Sequence, residues 1–438
     1  MPSNMPNKNK KEDYVFFGQT TSLCEVCLNL VSTKIIFQDD MVYYLKYCPS
    51  HKVQKTLIST DIEYFKKSRE IIFPSNKPQK LKKSIDLSCP YDCGLCDDHE
   101  QYTAMGIVEI LDECNIECPT CIGAFHPGSG KVKTLKQIEA MLNTLLNYQP
   151  NADILMISGG EPTIHPQIFE ILNLAYSLPF KHIMLISNGI VIADDIEFVR
   201  KLSKYKDKLE VYLQFDSLKD EVIDGIRGLP LRDKRIQSVN NLEKERIHST
   251  LICIVKKSLN EYELNDIIDF GLSYKYVRGV TFQPIKYTGR NESFSKETNY
   301  ITLSEVRSNI LNDSKYFSKN DLIPHPLNPE NISIGYLKKE DNQAKAVTNF
   351  LFNHPQSARK YKINFRNADD LRKKMYFIRE LDTEDANYEN LFRVTIVSYL
   401  DKFNFCTTTV KRTCIHFVTP KDELIPLDTY YLFYQNKY

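Results

Sequence analysis

The chain has no tryptophan, only 15 glycines in 438 residues, and no surplus of either charge: 57 Lys and Arg stand against 56 Asp and Glu. Each shortage excludes something. Few glycines, with 42% hydrophobic and 26% charged residues, remove the collagen-like and disordered classes. What remains is a globular chain of roughly two or three domains. A formal charge of +1 argues against wholesale wrapping of nucleic acid, so no nucleic-acid partner is expected. Long apolar runs are also missing. The best, ADILMIS, falls far short of the roughly 18–20 residues of a membrane span. The N-terminal stretch MPSNMPNKNKKEDYVFF is polar and basic, without the apolar segment of a secretory signal. The expected location is cytoplasmic.

Cysteine is what the chain has in excess, with 12. In a reducing compartment, clustered thiols hold metal more often than they form disulfides. Most of them fall before residue 122 in groups at metal-ligand spacing: Cys24, Cys27 and Cys48; Cys89, Cys93 and Cys96; Cys114, Cys118 and Cys121. Cys253, Cys406 and Cys414 are scattered, and Cys253, within the apolar run TLICIV, reads as a small buried hydrophobe.

The first group is Cys24-x-x-Cys27 followed by Cys48-Pro-Ser-His51, separated by enough chain for a hairpin. Such a set makes a closed tetrahedral site for structural zinc, with iron the alternative. From 104 to about 285, short apolar runs (MGIVEIL, DILMIS, HIMLIS, VYLQF, TLICIV, VTFQP) alternate with amphipathic stretches. That rhythm spells a parallel α/β sheet, whose ligand site lies at the carboxyl ends of the strands. The third cysteine group follows the first of these strands, as Cys114-x3-Cys118-x2-Cys121. Three thiolates suit a four-iron (4Fe-4S) cluster with one iron left without a protein ligand. The second strand runs into Gly159-Gly160-Glu161-Pro162, the third into Ser187-Asn188, the fourth through Gln214 to Asp216, and the sixth ends near Gln283. The middle group repeats the Cys-x3-Cys-x2-Cys spacing but precedes the first strand, which reads as an auxiliary cluster or a second zinc site. His99, a distant cysteine or the substrate itself stands as its fourth ligand. Arg227, Arg278, Tyr287 and Arg290 lie near strand-end loops. Arg227 and Arg278 suit a carboxylate or phosphate clamp, or surface ion pairs, and Tyr287 and Arg290 read as part of a substrate loop.

The loop CNIECPTC with GGEP behind it resembles the radical S-adenosylmethionine (SAM) superfamily. The resemblance implies a partial (β/α)6 barrel in which the open iron chelates SAM and the cluster's electron cleaves it to a 5′-deoxyadenosyl radical. It further implies that Gly159, Gly160, Glu161 and Pro162 hold the methionyl amine, with Ser187, Asn188, Gln214, Asp216 and Gln283 around the cofactor. Thr120 departs from the family, which usually has an aromatic residue there. CxxC…CPxxH, CPYDCGLCxxHxQ and CNxxCPTC together, continuing through LQFDSLKDEVIDGIRG and VKRTCIHFVTP, resemble a subgroup that includes archaeal tetraether lipid synthase and proteins described as pterin methyltransferases. That likeness implies a reductant such as ferredoxin or flavodoxin and a lipid or other small-molecule substrate. The leading reaction is carbon–carbon bond formation on a lipid chain, and the alternatives are methylation of a pterin or modification of a peptide. A non-catalytic electron carrier is the reading from another class. In the archaeal enzyme C-terminal cysteines hold a further cluster. Here Cys414 is present, but Asp428 stands where a second thiol is expected, with Cys406 a substitute.

The domain plan is therefore a zinc-ribbon-like module at 16–60, a linker with the auxiliary segment at 61–103, the barrel at 104–290, and a substrate-capping α+β domain at 291–438. The basic stretch 78–83 reads as a solvated face, with a peripheral contact to anionic lipid as the alternative.

Overall fold

The computed structural model describes residues 13–71, 77–78, 80–81, 83–291, 294–325, 328–340, 343–349 and 388–435. Parts of the basic stretch 78–83 and residues 350–387 of the expected capping domain lie outside these.

The N-terminal strands β1 (Val15–Leu23), β2 (Leu30–Gln38), β3 (Met41–Cys48) and β4 (Lys52–Ser59) form one antiparallel sheet in chain order. Cys24 directly follows β1 and Cys48 ends β3, so the pairing brings both knuckles to one end of the ribbon.

The larger sheet is built from β5 (Met105–Glu109) onward. A two-residue strand, β6 (Thr120–Cys121), lies in the cysteine loop; then come β7 (Ile154–Ser158), β8 (His182–Ser187), β9 (Leu209–Gln214), β10 (His248–Val255) and β11 (Val277–Pro284). Strands β5, β7, β8, β9, β10 and β11 are parallel neighbours in that order, with helices between them, as expected of a (β/α)6 unit. Helix Leu135–Tyr148 starts on a Thr134–Gln137 capping box, and helix Asp220–Arg227 stops at Gly228 in the left-handed region.

The strands alternate strictly, and this alternation makes the cavity. In β7, Ile154, Met156 and Ser158 face the interior, while Leu155 and Ile157 pack into the main core. In β8, His182, Met184 and Ile186 face inward, while Ile183 and Leu185 pack outward. Cys253 of β10 also lies in that outer core, fully buried.

The C-terminal part is not a separate layer beyond residue 290. After β12 (Arg290–Asn291), β13 (Ile323–Pro324), β14 (Ile332–Glu340) and β15 (Gln343–Ala346), strand β16 (Leu391–Val397) pairs parallel to β11. Strand β17 (Ile415–Val418) pairs parallel to β5 at the other edge, with β18 (Leu424–Pro426) antiparallel beyond it. The expected capping domain thus extends the barrel sheet on both sides. The reason is physical: open edges of a parallel sheet leave unpaired backbone groups, and the apolar runs LFRVTIV and IHFV satisfy them.

Candidate active site and metal centres

The ribbon site is the more compact. The donor atoms of Cys24, Cys27, Cys48 and His51 all lie within 4.8 Å of one another. Burial pushes the Cys24 thiol up, but backbone N–H groups of Cys27 and Val26 and the Gln54 amide outweigh it and leave it at about 6. Gln54 Nε2 donates to Cys24 Sγ at 3.3 Å. A thiolate already stabilised in this way is a ready metal ligand.

The barrel site is open. Cys114, Cys118 and Cys121 line a cavity of about 280 Å³ together with Gly159, Gly160, Asn188, Gln214 and Gln283. Burial pushes Cys114 up to about 12 and also raises Cys118, where Arg227 acts in the opposite sense. The cysteine loop is pinned to the end of β7 by backbone: Gly160 N donates to Leu111 O at 2.9 Å and Glu161 N to Glu113 O at 3.0 Å. A Cβ on Gly160 would meet Glu113 O at 2.1 Å, and Gly159 has φ +131°, so this contact requires both glycines. Arg290 clamps the same loop from outside, with Nε on Cys118 O at 2.6 Å and an Nη on Phe125 O at 2.7 Å. It therefore holds the cysteine loop and not substrate.

The remaining expected site residues stand behind the cavity wall. Glu161 is buried and accepts from Thr163 N (3.1 Å), Thr163 Oγ1 (2.5 Å), Ser187 Oγ (2.9 Å) and Asn188 N (2.6 Å). With both oxygens so engaged, its carboxylate fastens the end of β8 to that of β7, and burial still raises it above the usual range. Pro162 opens the short turn that follows. Asp216 takes a two-pronged bond from Arg227 (2.7 and 2.9 Å), both buried. Burial alone would raise Asp216, but Arg227 overcomes this and holds it below the ordinary carboxylate value. Arg278 is also committed inside the protein, to the carbonyls of Lys275 and Tyr388, at 2.5 and 3.3 Å, and to Glu389.

The middle cysteines surround a separate small cavity with His99, Lys411 and Pro426. His99 Nε2 lies 2.8 Å from Thr413 O and 3.1 Å from His416 Nε2, and burial pushes His99 down to about 4. A neutral ring whose Nε2–H faces a carbonyl keeps Nδ1 as a bare lone pair. Cys414 is elsewhere, in the wall of the main cavity. Cys406 cannot stand in beside it: it packs against the ribbon, with Thr20 Oγ1 at 3.1 Å and Arg69 at 3.8 Å. Asp428 is held by Leu400 N at 3.1 Å and Thr413 Oγ1 at 2.6 Å.

Sequence reading missed several residues. Arg235 is fully buried, and among the described residues no nitrogen of its guanidinium has a hydrogen-bond partner. Glu109 takes hydrogen bonds from Tyr430 and Tyr431 and is pushed up by burial to about 6. Glu25, between two ribbon ligands, binds Lys296 at 2.8 Å and Lys46 at 3.7 Å, tying the knuckle to the barrel. No local motif marks Glu109 or Glu25, because their partners are distant in sequence, and none marks Arg235.

The cavity has the chemistry for a polar cofactor at its upper end. Among the described residues, Thr120 Oγ1, Gln214 Oε1 and Thr288 Oγ1 are buried there without hydrogen-bond partners, beside three thiols. Unmet acceptors and hydroxyls next to three cysteines suit a four-iron cluster carrying SAM.

This is the geometry of an iron–sulfur barrel enzyme, and the comparisons define the class. Residues 108–271 match the radical SAM superfamily, and residues 16–60 match the HMPTM N-terminal zinc ribbon domain. The chain is 25% identical to the 7,8-dihydro-6-hydroxymethylpterin dimethyltransferase of Methanocaldococcus jannaschii, over 94% of its own length and 93% of that protein. It is 20% identical to the GTP 3′,8-cyclase of Synechocystis sp., over 52% of this chain and 67% of the other. Among solved structures, Streptococcus suis SuiB aligns at a TM-score of 0.39 and 16% identity, covering 48% of this chain and 45% of that one. The chain carries a radical SAM domain at 108–271 and a zinc ribbon domain at 16–60, the make-up of a radical SAM enzyme. Among the described residues, no helix is long and apolar enough to cross a membrane.

Proposed function

We propose that the enzyme functionalises an unactivated carbon of an apolar chain, forming a carbon–carbon bond. The observation that carries this reading is the wall of the cavity below the cysteines. Met105, Ile107, Met156, Met184, Ile186 and Ile252 line it, and polar side chains such as Tyr212, Thr281, Thr395 and Tyr399 are interspersed among a mostly apolar surface. Such a wall favours close contact with an alkyl chain. The opposite end of the barrel is polar: Glu210 takes hydrogen bonds from Tyr388 (2.6 Å) and Arg393 and pairs with His182 at 3.3 Å. β8 has six residues, or about 20 Å of strand at about 3.3 Å each, so the floor bounds the chain segment that fits.

When bound, the cluster and SAM supply the radical that abstracts hydrogen. Cys114, Cys118 and Cys121 would ligate the iron, and Asn188, Gln214 and Gln283 would orient SAM. The Gly159–Gly160 contact holds the thiols in place, and the apolar wall excludes water from the reacting carbon. Cys89, Cys93 and Cys96, with His99 beside them, are read as an auxiliary iron–sulfur site, and ferredoxin or flavodoxin as the reductant.

The test is anaerobic reconstitution with SAM, a reductant and a phospholipid bearing deuterated acyl chains. Deuterium in the 5′-deoxyadenosine supports the proposal; 5′-deoxyadenosine without deuterium from any chain length overturns it. The near full-length likeness to the Methanocaldococcus jannaschii protein favours a second reading, methylation of a reduced hydroxymethylpterin. A methylated pterin in a parallel assay would establish that reading instead.

A further inference from the structure

Beside the main cavity lies a second, smaller chamber of about 60 Å³, between helix Ile62–Glu70 of the ribbon side and the barrel. Its volume is about that of two liquid waters, or of one carboxylate or phosphate group. Lys286 lines both this chamber and the main cavity. Its side chain is more than nine-tenths buried, and among the described residues its ammonium has no carboxylate within 4.0 Å and no hydrogen bond. The contact it does make is with the Tyr300 ring, at 5.7 Å. Asn331, also in the chamber wall and buried, has an amide nitrogen without a hydrogen-bond partner among the described residues. Arg69 and Glu330, 3.2 Å apart, neutralise each other across the same space.

The nearby acids are committed elsewhere. Asp401 accepts from Tyr287 N at 3.0 Å and Phe403 N at 2.9 Å, and Asp428 from Leu400 N and Thr413 Oγ1. Asp401 and Asp428 still act on Lys286 through space, but among the described residues the chamber is left with one ammonium that has no direct ion pair and one idle amide donor. A buried charge without a direct partner is costly, by several kcal/mol in general. Apart from the paired Arg69 and Glu330, the groups in the chamber wall with hydrogen-bonding capacity to spare, Lys286, Asn331 and the Tyr64 hydroxyl, can all donate. The backbone around Lys286 is fixed: Ile285 N bonds Val255 O at 2.9 Å, and Lys286 O accepts from Asn291 at 2.9 Å.

We propose that this chamber binds a singly substituted anion, carboxylate or phosphate, and that the anion is the acidic head of the substrate whose chain occupies the main cavity. The head-group half of this proposal rests on the apolar-chain reading above; the anion site does not. Lys286 and Asn331 are then specificity-determining residues that select acidic amphiphiles over neutral ones.

The test measures binding by calorimetry to the anaerobically reconstituted full-length protein without SAM, using hexadecanoate, hexadecan-1-ol and inorganic phosphate as probes. Hexadecanoate should bind the wild type about ten-fold or more tightly than it binds Lys286→Met, the order expected for loss of a charge-assisted hydrogen bond. Lys286→Arg should retain most of that affinity, and hexadecan-1-ol should not distinguish the proteins. Phosphate that competes with hexadecanoate in the wild type supports the site. Equal hexadecanoate affinity in wild type and Lys286→Met overturns it, as does phosphate binding that survives the substitution. Phosphate binding to the wild type without hexadecanoate binding overturns the head-group assignment and leaves a free-anion site. Failure of both long-chain probes sinks the apolar-chain reading, while the phosphate arm still decides the chamber. If SAM affinity falls in Lys286→Met as far as hexadecanoate affinity does, the anion is the cofactor's carboxylate and the substrate assignment is overturned. Ribbon zinc content and melting temperature check folding, and Asn331→Leu gives an independent comparison if Lys286→Met does not fold.

Discussion

The ribbon gathers Cys24, Cys27, Cys48 and His51 until their donor atoms lie within 4.8 Å, and it stabilises the Cys24 thiolate with backbone N–H groups. The barrel holds Cys114, Cys118 and Cys121 around a cavity and keeps the Cys114 thiol protonated, up at about 12. Both sites are cysteine loops at the end of a strand, yet one is closed and the other open. A closed four-donor set fixes an ion and stabilises a small module that lacks a large core. A three-thiol loop facing a cavity leaves room for a ligand on the metal, and metal loading must drive off its protons. Loop length alone does not make this difference; what stands opposite the thiols does. In the ribbon that is His51, and in the barrel it is space.

Substitutions should separate the two sites, the largest effect first. Cys118→Ala is expected to abolish the barrel cluster and all 5′-deoxyadenosine release while the ribbon zinc stays, read by elemental analysis and chromatography. Loss of both metals together would break the contrast. Cys48→Ala is expected to do the reverse, emptying the ribbon and lowering the melting temperature while the barrel iron remains. Arg227→Met leaves Asp216 as an unpaired buried carboxylate, with an expected loss of about 3–5 kcal/mol by denaturant titration. Asp216→Asn in the same background should recover part of it.

The pH response of Glu109 sharpens the barrel side. Its carboxyl is raised to about 6 from the usual 4.5, chiefly by burial. Folding therefore favours its protonated form: that contribution is fully present below about pH 4.5 and is lost as pH rises through about 6. Glu109→Gln should thus gain on the wild type by about 2 kcal/mol between pH 4 and pH 7.5, seen as diverging denaturation midpoints. Parallel curves would contradict it. The smallest effect is expected at the joint between the regions: Glu25→Gln weakens the partly buried contacts to Lys46 and Lys296 by about 1 kcal/mol. It should raise hydrogen exchange in 285–300 without releasing zinc.

Much of this was legible in the chain. The strand–helix rhythm gave the six central strands, and the end of each strand pointed to the residues near the cavity. Cysteine spacing marked three loops. It did not reveal that Glu161 and Asp216 face away from the cavity. A carboxylate after a strand can turn into the cavity or behind it; donors from Ser187 and the Asn188 backbone hold Glu161, and Arg227, itself part of the cavity wall, holds Asp216. Arg278 read as a clamp for a ligand and Arg290 as part of a substrate loop, and backbone carbonyls claimed both instead, those of Lys275 and Tyr388 for the first and Cys118 for the second. The C-terminal strands looked like a cap because pairing across hundreds of residues leaves no local pattern.

The sequence by itself determined the periodicities: which residues share a face of a strand, and which thiols share a loop. Those follow from backbone geometry, which acts over a few residues. Only the tertiary structure decided which faces meet around a common space, which buried charges form ion pairs, and which, like Lys286, form none among the described residues. Burial and charge pairing depend on groups far apart in the chain, and their positions are set only when the sheet closes around its cavity.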